Sequence, residues 1–172
     1  MTIAELINDK SLKAKAKVQA LGNAILDKTI KTTDLIQFAI TTSETNKATC
    51  IESLEFATKQ EPSIADNKVF DFVIESLQDN APRVKWESAK VTGNIAHLFP
   101  AKLDKPISYL LNNAENDGTV VRWATAYALG EILKLKTKHN KELLPAIEAI
   151  CKTEEDNGVK KKYLDAIKKA TK

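Results

Sequence analysis

Glycine and proline are scarce in this chain, five of each among 172 residues. A β-rich fold with many tight turns draws heavily on both, so their scarcity argues against sheets and towards helices. Cysteine is scarcer still: Cys50 and Cys151 stand far apart and belong to no CxxC or histidine-bearing cluster. They read as two small apolar residues of a core rather than a disulfide framework. No stretch reaches the roughly 18 apolar residues of a membrane span. The segment Met1 to Lys10 carries acids where a signal peptide would be basic, and it lacks an apolar run, so the expected compartment is the cytoplasm. The two histidines, His97 and His139, sit in no HExxH or His-Glu pattern, and no Walker or GxSxG loop occurs. The sequence therefore offers no catalytic, metal-binding or cofactor-binding residues, and the expectation is a protein that is not an enzyme.

Charge is also in short supply. Lysine and arginine outnumber the acids by 26 to 23, a net charge of +3. That is weak support for non-specific nucleic-acid binding, which rests on many phosphate contacts. The charge is unevenly spread, because residues 159–172 hold six lysines against Asp165. These read as a solvated face capping the chain end, or as a patch for an acidic partner or a phosphate backbone.

What the chain does have is internal similarity. Arg83 to Leu98 matches Val120 to Leu135 without a gap at an offset of 37 residues. Val84/Val121, Trp86/Trp123, Ala89/Ala126, Gly93/Gly130, Ile95/Ile132 and Leu98/Leu135 are identical, and Lys85/Arg122 and Ser88/Thr125 are conservative. A fixed period in this range marks a repeat architecture. The unit recurs at Val159 with Tyr163, Ala166, Ile167 and Ala170 as its core, and at Ala20-Leu21-Gly22. A weak copy runs from Asn46 to Gln60, its register left open around Ile51, Leu54 and Phe56.

Each unit reads as a helix pair. Val121, Thr125, Ala128, Leu129 and Ile132 share one helical face, Val84, Ser88, Val91, Thr92 and Ile95 repeat it, and Val69, Val73 and Leu77 give the facing outer stripe. The punctuation predicts outer helices near 2–8, 33–41, 63–78, 104–115 and 140–154, and inner helices near 11–27, 45–60, 82–98, 119–135 and 158–171. Asp79-Asn80, Asp117 and Asp104 are the expected caps. A glycine inside a helix costs about 1 kcal/mol against alanine, so its recurrence at matched positions implies a packing need.

A turn acid, then Val-Arg or Val-Lys, then Ala-x-x-Leu-Gly-x-Ile on the second helix resembles a HEAT repeat. The resemblance covers nearly the whole chain and implies an all-α, right-handed α-α superhelix of about five pairs, residues 1–172 forming a single domain. It further implies that the basic residues Lys85, Arg122 and Lys160 form a structural ladder with turn residues of the neighbouring repeat, with Asn80, Asp117 and Asp156 as candidates. HEAT-like di-iron hydroxylases carry His-Glu pairs that are absent here.

The partner-binding candidates are Trp86, Lys90, Trp123, Tyr127 and Arg122. With the core stripe fixed, Trp86 and Trp123 point away from it, followed one turn later by Lys90 and Tyr127, then Asn94 and Glu131, and by His97. In a HEAT-like solenoid this ridge lines the concave surface where partners dock. Aromatic and arginine side chains dominate interface energetics, although the two indoles could equally lie flat as partial core. The expectation is a non-enzymatic module binding a protein or peptide, acidic in character, with a homo-oligomer joined through its end repeats as a further possibility. The alternative is a nucleic-acid binder similar to the HEAT-like DNA-alkylation-repair glycosylases, whose groove is basic and aromatic. The segment Val121 to Ile132 resembles a late helix of that family, but its catalytic aspartate has no counterpart beside either tryptophan.

Overall fold

The 3.6-residue periods close into ten α-helices and no strand across residues 1–172 of the computed structural model. They are α1 (Ile3–Asn8), α2 (Ala14–Leu26), α3 (Thr32–Thr41), α4 (Glu44–Gln60), α5 (Asn67–Ser76), α6 (Pro82–Ile95), α7 (Asp104–Asn113), α8 (Thr119–Lys134), α9 (Asn140–Thr153) and α10 (Asn157–Ala170). Successive helices pair, odd-numbered outer against even-numbered inner, and the five pairs stack into the helical solenoid expected of HEAT-like repeats. The expected stripes are the buried ones: Val69, Val73 and Leu77 on the outer row, and Val121, Ala128, Leu129 and Ile132 on the inner. Each leucine or isoleucine so buried contributes roughly 1.5–3 kcal/mol. One apolar cluster runs without a break from Leu6 to Ala166.

Consecutive inner helices pack along their lengths on one another, whereas consecutive outer helices touch at only a few points. The inner row is therefore the tighter one, and the stack curves towards it. Small side chains allow this, since Ala57, Ala89, Ala124, Ala126 and Ala128 are all fully buried. The closest approaches fall at glycine. The ring of Phe56 lies over Gly22 and the ring of Tyr127 over Gly93, each so near that a Cβ would collide with ring carbons. Gly130 meets Ala166, whose Cβ would stand 2.9 Å from an added one. Phe56 and Tyr127 thus play the same part, each covering a glycine of the preceding inner helix.

Two local expectations are corrected. Asp79 accepts the Ala81 amide at 2.9 Å and Asn116 the Gly118 amide at 2.8 Å, so these residues form tight turns just before α6 and α8 rather than capping them. Asp117 and Asp104 cap nothing through their side chains. Side-chain caps occur instead at Thr2, Ser43, Asp66 and Asp156. The basic ladder exists, but its partners lie at the ends of the next outer helices. Lys47 pairs with Asp79 at 2.9 Å, Lys85 donates to Asn113 at 3.3 Å, and Arg122 pairs with Glu154 at 3.1 Å. Of the expected partners only Asp117 takes part, through its backbone carbonyl at 2.9 Å from Arg122. Lys160 makes no such bond to Asp156, whose carboxylate caps α10.

Candidate protein-binding face

The inner row presents its polar and aromatic ridge to the concave side. Tyr127 is its hub. The phenol donates to Asn94 at 2.6 Å, and the Asn94 amide donates in turn to Thr58 Oγ1 at 3.1 Å and the Glu55 carbonyl at 3.3 Å. The ring stacks on Trp123 one turn away, with centroids 6.4 Å apart and planes 11° from parallel. The Lys162 ammonium stands over both rings, 5.1 Å from Trp123 and 5.6 Å from Tyr127. Thr58, Asn94, Tyr127 and Lys162 thus tie α4, α6, α8 and α10 together across one surface. Burial, with Glu131 and Glu55 adding to it, pushes the Tyr127 phenol up to about 12, so it stays a neutral donor.

The two tryptophans part company. Trp123 keeps 38% of its surface exposed, a large value for an indole inside a packed array. Trp86 is half-buried against the core, and its indole N–H donates to Glu87 at 2.9 Å. They do not stack on one another; the partner of Trp123 is Tyr127 on its own helix. Position 86 thus carries the partial-core role and position 123 the open ring. Lys90 lies 3.5 Å from Glu87. Arg122 is committed to the ladder: besides Glu154 it donates to the Asn116 and Asp117 carbonyls at 3.0 and 2.9 Å.

Glu87 escapes a reading of the sequence. Only 3% of it is exposed, and its second carboxylate oxygen is buried without a partner. Burial raises its pKa; Lys90 opposes this, Glu52 and Glu55 reinforce it, and the Trp86 hydrogen bond works against it. The one hint in the sequence was its repeat mate, the small apolar Ala124, which the structure buries fully. Lys162 was visible only as one of six C-terminal lysines, since the last copy is too divergent to place it beside Tyr127.

These features define a helical repeat protein with an aromatic shelf on its inner face. No family model matches the sequence, and no curated protein matches it either. Solved structures do match. A designed armadillo repeat protein in complex with the peptide (KR)4 superposes with a TM-score of 0.74 at 18% identity, over 98% of this chain and 80% of that one. Computationally designed armadillo repeat proteins for modular peptide recognition give 0.72 at 17%, over 97% and 80%. The complex of CpcE and CpcF of phycocyanin lyase from Nostoc sp. PCC7120 gives 0.67 at 19%, over 95% and 94%. At these identities the likeness is one of fold. No helix is long and apolar enough to cross a membrane.

Proposed function

We propose that residues 1–172 act as one non-enzymatic repeat domain that binds a protein or peptide along its concave inner-helix face, with Trp123 and Tyr127 as the anchor. The observation that carries this is the open Trp123 ring, held flat on Tyr127 while that ring is itself pinned through Asn94 and Thr58. An aromatic surface held in place before binding loses little conformational freedom on association. Such rings supply much of the energy of protein interfaces. Trp86 and Lys90 extend the surface over α6, whereas Arg122 is held by its ladder partners Glu154, Asn116 and Asp117. Structures of the same fold hold a peptide in one case and join a second protein in another, which favours the same use here.

The test is selection of a random peptide library on the immobilised protein, with each selected peptide measured against wild type and W123A. Because Trp123 is exposed, W123A keeps its helical circular dichroism and should weaken the selected peptides at least about tenfold. Peptides that bind W123A as well as wild type would place binding elsewhere and remove the proposal.

A further inference from the structure

The charges around the aromatic shelf narrow the class of ligand, on the footing that the shelf is a binding face. Between α8 and α10 runs a cleft of about 90 Å³ lined by Tyr127, Gly130, Glu131, Lys134, Lys162 and Lys169, among others. Its two acids are already matched by basic residues of their own helices: Glu131 by Lys134 at 2.6 Å, and Asp165 by Lys161 at 2.7 Å. Asp165 also feels Lys169 and Lys162. Four lysines therefore stand against two carboxylates, and neither Lys162 nor Lys169 forms an ion pair of its own. Lys162 is held with its ammonium over the two rings, at the lip of the shelf. The cation seat on the rings is thus filled from within the chain, and the surplus charge beside it is positive.

We infer that this cleft takes an acidic peptide segment of a partner, one apolar or aromatic side chain resting on the Trp123–Tyr127 stack and a neighbouring carboxylate pairing with Lys162 and Lys169. The ring contact would supply the burial. The lysines would supply orientation, faster encounter and rejection of basic segments, because a second cation here meets unneutralised charge.

Short fluorescein-labelled peptides with one central Phe flanked by Glu, by Ser or by Lys test this by fluorescence anisotropy at low and physiological salt, beside a labelled single-stranded oligothymidine. The Glu peptide should bind about tenfold tighter than the Ser peptide, and the Lys peptide weakest. The preference should shrink with salt, vanish in K162Q/K169Q and reverse in K162E/K169E, while W123A weakens all three. Equal binding of the three peptides, or tighter binding of the Lys peptide, overturns the inference yet leaves a Trp123-dependent peptide face in place. Oligothymidine bound more tightly than the Glu peptide overturns it in favour of a nucleic acid. No binding of the Glu peptide at low salt overturns it too. Only if library selection also yields nothing dependent on Trp123 does the proposed function fall with it.

Discussion

At Gly93 two effects of opposite sign meet. Alanine is a better helix former by about 1 kcal/mol. Its Cβ, however, would strike the Tyr127 ring, which cannot swing aside freely because Asn94 holds its hydroxyl and Trp123 its face. G93A is expected to destabilise the protein by about 1–2 kcal/mol net, since overpacking typically costs about 1–3 kcal/mol. In a Y127A background the same change should be neutral or stabilising, and a double-mutant cycle by urea denaturation reads the difference directly. An equal penalty in both backgrounds would mean that the ring contact is not the cause. Glu87 poses the opposite case, a charge the fold disfavours. Its raised pKa means the folded state holds the proton more tightly than the unfolded chain does. Stability is therefore lost as pH climbs out of the usual glutamate range and through the folded value. E87Q keeps an acceptor for the Trp86 indole and removes the charge, so it should raise Tm at neutral pH by roughly 2–4 °C, equivalent to about 1 kcal/mol. Below about pH 4, where both states are protonated, the variant and the wild type should melt together.

Between elements, the ladder residues differ in what they would leave behind. Arg122 is the counter-charge of Glu154, whose side chain is 4% exposed. R122A strands that carboxylate, and about 3–5 kcal/mol is the expected loss. Lys85 serves neutral acceptors, the Leu77 carbonyl and Asn113, and Asn113 itself donates to that carbonyl at 3.0 Å. K85M should accordingly cost only about 1 kcal/mol. Equal losses in guanidinium melts would contradict this division of roles. The same contrast explains what the sequence could reveal. Helix pairs, their stripes and the 37-residue period were legible because each depends on spacing within one segment, and the matched copies reuse the same residues at it. The identity of Glu154 was not, because a ladder partner is chosen by the packing of the next layer. The register of Asn46–Gln60 was hidden for a related reason. Phe56 is fitted to Gly22 on the neighbouring helix, and nothing within α4 reports that. At the site, the outward direction of Trp123 could be read from its own helix. The stack on Tyr127 and the cover by Lys162 could not, because they depend on how α10 lies against α8.

Across the whole molecule, stability should be distributed as in a chain of nearest neighbours rather than shared equally. Each inner helix is covered by its own outer helix, and α4, α6 and α8 also by an inner helix on either side, whereas α1 has only six residues. Amide exchange followed by mass spectrometry should therefore find the slowest protons around Val91, Leu129 and Ile132, all fully buried, and the fastest in α1. A single lesion sharpens the test. Leu21 is a fully buried residue of α2, and L21A removes about 2–5 kcal/mol of local packing. In a nearest-neighbour array the loss of protection should be deep in α1 to α4, slight in α6, and absent from α8 to α10. The aromatic shelf between α8 and α10 would then keep its geometry, and any peptide selected for dependence on Trp123 should bind L21A as it binds the wild type. Loss of protection spread evenly over all ten helices would instead reveal one cooperative unit, in which the shelf weakens together with the distant end.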